Sequence, residues 1–387
     1  MRYVARPWTT APNWALFHNR SLVTRRLVVF GLSISSSWGN GHATTYRGLL
    51  KALSARGWET TFFERDTEWY RNNRDLAEPS FCDLRLFENW ASTRPDAASA
   101  VGGADVVIVG SYTAHAQEII DWLAGQGRPV LFYDIDTPIT LTAFRQKGET
   151  EYLRSDQVRL FEVYLSFTGG SALWELEHSW GAKRAEALYC AVDPSFHQAK
   201  RVDPNFECLL GYMGTYAPDR QAKLNDLLIS PARRLSDRRF VIAGALYPDM
   251  ELPRNVELLQ HIYPADHAAF YSSNWATLNL TRDAMVRYGW SPSVRLFEAA
   301  ACGACILSDA WPGLNELFEP GEELLLVRDD REVLSILSQL TPERRGRIGE
   351  MARERVLREH TYEFRATQVD ATLSTVLRGA SAAEHEC

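Results

Sequence analysis

From residue 27 onward the chain alternates short runs of β-branched and aromatic residues with longer segments whose apolar positions recur every three or four residues. The runs at 27–33, 59–63, 105–110, 129–134, 163–167 and 187–192 predict six strands, and the intervening helices are clearest at 44–55, 114–124 and 171–180. A polar segment at 193–205, with Asp-Pro near each end, has the character of a linker. A second series then begins, with strands expected at 208–213, 239–243, 256–261, 275–280, 305–308 and 323–327. Helices are expected at 219–228, 267–272, 293–301 and over much of 331–378. Strand and helix in regular alternation mark parallel βαβ units, because a parallel strand is re-entered only through a crossover. The expected fold class is therefore α/β, with two Rossmann-like parallel-sheet domains facing across a cleft where the strands' carboxyl ends meet.

Length supports the division, since 387 residues exceed what one hydrophobic core usually serves. The N-terminal domain is expected at 27–200 and the C-terminal domain at 201–362. Residues 363–387 are expected to form a last helix, packing back on the first domain, and a tail. Residues 1–26 carry five arginines, no lysine and no acid, and read as a basic extension outside the first core: a basic tail, a targeting remnant or a misassigned start. A net charge of −7 argues against nucleic acid as partner. No apolar run is long enough to span a membrane and no secretory signal pattern opens the chain, so the cytoplasm is the expected compartment. Cys82, Cys190, Cys208, Cys302, Cys305 and Cys387 are few and lie mostly in apolar runs, as reduced thiols do, and no partner completes a zinc site around Cys302 and Cys305.

The densest chemistry lies at 289–309, a loop, a helix and a strand in succession. Pro292 suits a helix's first turn with Ser291 or Ser293 near its cap, so the N–H groups and positive dipole end around Val294 would receive an anion such as a diphosphate. Glu298, farther along that helix, is placed to accept two ribose hydroxyls. Local pattern alone favours an ordinary capped helix with a surface glutamate. After the second domain's first strand come Gly214, Thr215, Tyr216 and Arg220, where small residues admit a ligand and an arginine can grip a diphosphate. Arg282 and Arg295 are further cationic candidates. In the first domain, Gly39, Asn40, Gly41 and His42 follow the first strand. Thr44 occupies the third glycine place of a dinucleotide fingerprint, which disfavours a nicotinamide cofactor. A neutral histidine at this strand end suits a general base at neutral pH. Asp134 and Asp136 offer either orientation of His42 and acceptor binding or an Asp-x-Asp cation site; the first is favoured, with metal expected to be absent.

Together with 311–316, 320–322 and 324–327, the 289–309 block resembles the donor-binding half of GT-B glycosyltransferases. Through 36–42, 63–66, 133–138, 165–170, 211–216 and the Glu298 block, residues 27–359 resemble the CgeB-like, spore-maturation family of that class. The resemblance implies a GT-B fold and metal-independent transfer of a sugar from a nucleotide-diphosphate sugar, UDP- or dTDP-linked, to a hydroxyl of a glycan, protein or small molecule, without a further cofactor. It implies that Glu298 holds the ribose and that Ser291, Ser293 and Val294 meet the diphosphate. It further implies that arginines neutralise the leaving group and that His42 is the base, oriented by an aspartate such as Asp136. One departure stands out: retaining enzymes of this fold carry a glutamate eight positions before the ribose-binding one, and here that position is Trp290. Two other functions fit the same frame, a nucleotide-sugar epimerase or oxidoreductase and a non-catalytic spore or surface assembly protein.

Overall fold

The computed structural model describes residues 24–38 and 41–385; the basic extension up to residue 23, Gly39, Asn40 and Cys387 lie outside the described residues. Strand β1 (Arg25–Gly31) sits mid-sheet because every residue from Leu27 to Phe30 is apolar and buried. Its two-residue period sends Val28 and Phe30 into one core and Leu27 and Val29 into another, as a strand covered on both faces requires. Around it lie β2 (Trp58–Arg65), β3 (Asp83–Phe87), β4 (Val106–Gly110), β5 (Val130–Asp134), β6 (Val163–Ser166) and β7 (Ala185–Ala187). All are parallel, in the order β3-β2-β1-β4-β5-β6-β7.

The second sheet repeats the plan with β8 (Cys208–Met213), β9 (Phe240–Ala243), β10 (Val256–Leu259), β11 (Asn274–Asn279), β12 (Ile306–Ser308) and β13 (Leu325–Leu326). Its parallel order is β10-β9-β8-β11-β12-β13. In each sheet the strand order reverses beside the first strand, between β1 and β4 and between β8 and β11. A crevice opens at the carboxyl ends of such switch points, and both candidate regions fall there.

The structure departs from the sequence expectations where pattern and packing disagree. Strand β3 was not expected, because Asp83 and Arg85 alternate with Leu84 and Leu86 on a sheet edge and the segment reads as polar. The apolar run at 187–192 is mostly not strand: β7 ends at Ala187, and the chain continues to Val192, whose N–H donates to His360 O at 3.0 Å. A helix, Thr137–Lys147, begins directly after Asp136. The stretch 331–378 divides into helices Asp330–Gln339, Pro342–Glu359 and Tyr362–His385. Asp329 and Thr341 cap the first two by accepting from Glu332 N and Arg344 N.

The last helix crosses to the first domain. Tyr362, Ala366, Val369 and Leu373 join the core beneath β1, and Arg25 and Trp58 Nε1 donate to Asp370 Oδ1 at 2.5 and 2.9 Å. Gly48 makes the approach possible, since a Cβ there would stand 2.2 Å from the Tyr362 ring. Among the described residues no helix is long and apolar enough to cross a membrane.

Candidate functional site

On the first domain the loop after β1 is fastened from below. Glu64, at the end of β2 and wholly buried, accepts from Ile34 N at 2.6 Å, Ser35 N at 2.9 Å, Ser35 Oγ at 2.6 Å and Ser33 Oγ at 3.1 Å. Asp75 accepts from Ser37 N and Oγ and from both terminal nitrogens of Arg47. Burial pushes the Asp75 carboxyl up, but the Arg47 and Ser37 donors outweigh it and bring the pKa to about 2. The loop then delivers Gly41 and His42 as the opening residues of helix Gly41–Ser54.

His42 is 8% exposed, and its Nε2 lies 3.8 Å from Asp136 Oδ2. That is an ion-pair separation, longer than a hydrogen bond. The Tyr112 ring meets the imidazole edge-on at 5.4 Å. Asp136 occupies the N-cap position of Thr137–Lys147 without capping it, which leaves the carboxylate available to His42. Asp134 is placed differently. It is wholly buried, with Oδ2 accepting from Tyr164 Oη at 2.6 Å and Oδ1 from Asp136 N at 3.1 Å. Burial raises its pKa to about 6, against hydrogen bonds from Tyr164 and Thr140 that lower it. Asp134 therefore supports the turn that carries Asp136. Each of its oxygens accepts one hydrogen bond within the turn, whereas the Asp136 carboxylate faces His42.

On the second domain, cations gather at the ends of β8 and β11. A Cβ on Gly214 would stand 2.5 Å from Arg295 Nη2, so glycine is what lets that guanidinium in. Arg295 donates from Nε to Met213 O and from Nη1 to Asn279 Oδ1 at 3.1 Å, with its guanidinium 5.0 Å from the Tyr212 ring centre. Arg220 is half-buried and donates to Thr215 O. Burial lowers its pKa, and the nearby Arg295 and Arg282 charges add to the lowering. Arg282 pairs with Asp219 at 3.3 Å. Among the described residues, neither Arg220 nor Arg295 has a carboxylate partner within ion-pair distance. Thr215 is exposed above this group, and Tyr216 meets the Tyr247 ring at 5.5 Å.

The helix expected to receive the diphosphate is Val294–Ala301, so Pro292 precedes it rather than forming its first turn. Ser293 is its N-cap, but its hydroxyl donates to Asn279 Oδ1 at 2.9 Å and leaves the first-turn N–H groups around Val294 without a side-chain cap. Ser291 is not at the helix start. It is buried in the seam between domains, its hydroxyl 3.0 Å from Thr168 Oγ1. Trp290 is also in the seam, with φ of 42°, and its carbonyl accepts from Gly169 N at 2.9 Å. Added Cβ atoms on Gly170 and Gly313 would meet its ring at 2.3 and 2.4 Å. Where a carboxylate was absent from the motif, an indole wedges the two domains together.

Glu298 is 7% exposed and accepts from Tyr271 Oη at 3.3 Å. Two histidines that sequence reasoning missed stand beside it: His197 Nε2 at 3.5 Å from Oε1 and His267 Nδ1 at 3.8 Å from Oε2. They come from the linker and from the helix His267–Ser273, and no local pattern links them to Glu298. Lys223 was also missed. It lies one helical turn after Arg220 and donates to Thr281 O at 2.7 Å and Asp309 Oδ2 at 3.0 Å, and its i+3 spacing was the available signal. Trp38 reaches across the cleft to the His261 ring, 5.3 Å away.

Residues 220–371 match a protein family described as Glycosyl transferase-like. A search of curated protein sequences gives no significant match. Among solved structures, the chain is similar to a sucrose-phosphate synthase from Thermosynechococcus elongatus, with TM-score 0.67 at 16% identity over 92% of this chain and 100% of that one. It is similar to Anabaena HepE in complex with UDP-glucose, with TM-score 0.64 at 13% identity over 90% of this chain and 99% of that one. An α-glucosyltransferase in complex with UDP-glucose and DNA gives TM-score 0.64 at 12% identity, over 90% and 99%. The fold of two parallel sheets of seven and six strands is GT-B.

Proposed function

We propose that this glycosyltransferase of the GT-B fold transfers a sugar from a nucleoside-diphosphate sugar held by its C-terminal domain to an acceptor hydroxyl deprotonated from its N-terminal domain. The observation that carries this reading is the arginine group at the β8 and β11 ends. Arg220 and Arg295 are anchored by neutral oxygens, so their charge is left for an anion. Burial, with the neighbouring Arg295 and Arg282 charges adding to it, lowers the Arg220 pKa, and the Arg220 and Arg295 guanidinia together match a diphosphate's charge. The uncapped start of Val294–Ala301 adds N–H donors and the positive dipole end. This counter-charge is the support for transfer without a metal at the diphosphate.

In the reaction, the acceptor oxygen forms a bond to the anomeric carbon as the bond from that carbon to the diphosphate oxygen breaks. The electron pair leaves with the nucleoside diphosphate, where the arginines stabilise it. The acceptor proton passes to the His42 imidazole, and Asp136 stabilises the imidazolium. Glu298 offers its remaining lone pairs to the ribose hydroxyls. A uridine donor is the first to test, because HepE and the α-glucosyltransferase are complexes with UDP-glucose; a thymidine donor is the second. The narrower kinship with CgeB-like enzymes rests on the ordered motifs, which include His42, Asp136 and Glu298.

Thermal unfolding with UDP, UDP-glucose, dTDP and nicotinamide dinucleotides tests this. A bound nucleotide at 100 times its Kd stabilises the chain by about 2.7 kcal/mol, and a uridine or thymidine nucleotide is expected to do so. Stabilisation by a nicotinamide dinucleotide alone would replace this reading with an oxidoreductase or epimerase.

A further inference from the structure

We propose that His197, His267 and Glu298 form a binding site for a divalent first-row transition ion, of which zinc is the representative. Their ligand atoms all lie within 4.8 Å of one another. His197 Nε2 lies 3.5 Å from Oε1 and His267 Nδ1 3.8 Å from Oε2, each near the roughly 3.4 Å nitrogen–oxygen edge of a tetrahedral zinc site, although the two contacts fall on different oxygens of the carboxylate. Small side-chain rotations close the remainder. Two imidazoles and one carboxylate form a donor set suited to such ions rather than to magnesium or calcium.

Two further observations point to a ligand. His197 is 7% exposed, yet neither ring nitrogen makes a hydrogen bond, and the Nε2 edge faces Glu298. A buried imidazole left in that state is costly unless something occupies the space it faces. His267 is oriented from behind: its Nε2 lies 3.3 Å from Ile262 O, a carbonyl that can only accept. In the neutral ring that contact places the proton on Nε2, and Nδ1 lies on the side of the Glu298 carboxylate. A neutral ring's lone pair facing a carboxylate is repulsive unless a cation, a proton or a metal ion, stands between them. A backbone carbonyl behind a ligating histidine and a hydroxyl, here Tyr271, on the ligating carboxylate are the supports that metal sites use.

The three ligands come from the interdomain linker, helix His267–Ser273 and helix Val294–Ala301, so the ion would tie the linker to the second domain. It lies along that helix from the arginines and does not replace them. A carboxylate has about four lone-pair sites, so one metal bond and the Tyr271 bond still leave two for ribose. The inference goes beyond the proposed activity, and failure of every nucleotide to bind would leave it standing.

The test is zinc binding by the full chain after exhaustive chelation and dialysis, measured as metal content and as melting temperature with zinc against EDTA. The wild type is expected to hold one zinc per chain and to melt higher with zinc. His197→Ala and His267→Ala are expected to bind on the order of 100-fold more weakly and to lose the zinc-dependent shift, while His178→Ala on the surface keeps both. His197→Gln and His267→Gln carry the comparison if an alanine variant fails to fold in EDTA. A wild type that retains no zinc, or histidine variants that bind it as the wild type does, overturns the proposal.

Discussion

The two crevices use charge in opposite ways. On the donor side the arginines are held by neutral groups, Arg220 by Thr215 O and Arg295 by Met213 O and Asn279, so positive charge is displayed. In the first-domain crevice carboxylates serve the fold, Glu64 fastening the β1 loop and Asp134 the β5 turn, while Asp136 stands beside His42. On the proposed function, the first crevice receives the anionic diphosphate and the second takes up the acceptor proton at His42 beside Asp136. This contrast separates binding from chemistry, and variants should separate them too.

The largest expected effect is on the acceptor side. His42→Ala should lower kcat about 10²- to 10⁴-fold, the usual worth of a general base, and leave nucleotide affinity at the wild-type value. Glu298→Ala should weaken UDP by about 10- to 100-fold, the loss of a charge-assisted hydrogen bond or two, and leave inorganic pyrophosphate affinity unchanged. Equal losses for both ligands would remove Glu298 from the ribose.

The fold beneath the comparison is testable at smaller scale. Gly48→Ala should push Tyr362 away and destabilise the chain by about 1–3 kcal/mol in denaturant titrations, if the last helix is as closely docked as the structure shows. Asp134 gives a pH signature. Its pKa is 3.8 when unperturbed and about 6 in the folded chain, so the folded state binds this proton more tightly than the unfolded state does. The stability it contributes is fully present below 3.8 and is lost as pH rises through about 6. Asp134→Asn should lack that loss, so the difference between variant and wild-type stability should change in the variant's favour between those values. A constant difference would mean that Asp134 titrates normally.

Much of this was legible in the sequence, for physical reasons. Strands buried on both faces, such as β1 and β8, announce themselves as unbroken apolar runs. His42 and Arg220 lie in the first turn of the helix that follows such a strand and its loop, a position that local pattern makes visible. The edge strand β3 was hidden because half its residues are charged, and the role of Glu64 because its partners lie 29 to 31 residues away. Trp290 stood out only as a departure from a motif; that it wedges Gly170 against Gly313 depends on tertiary packing. His197 and His267 were invisible for the same reason, since linker, helix and Glu298 meet only in the folded chain.

Calorimetric titration of UDP into wild type, Arg220→Ala and His42→Ala tests the central division most directly. The account predicts that Arg220→Ala binds roughly 10- to 100-fold more weakly, as loss of a charged hydrogen-bond donor to a diphosphate requires, while His42→Ala binds as the wild type does. Equal weakening in both variants, or none in Arg220→Ala, would contradict it.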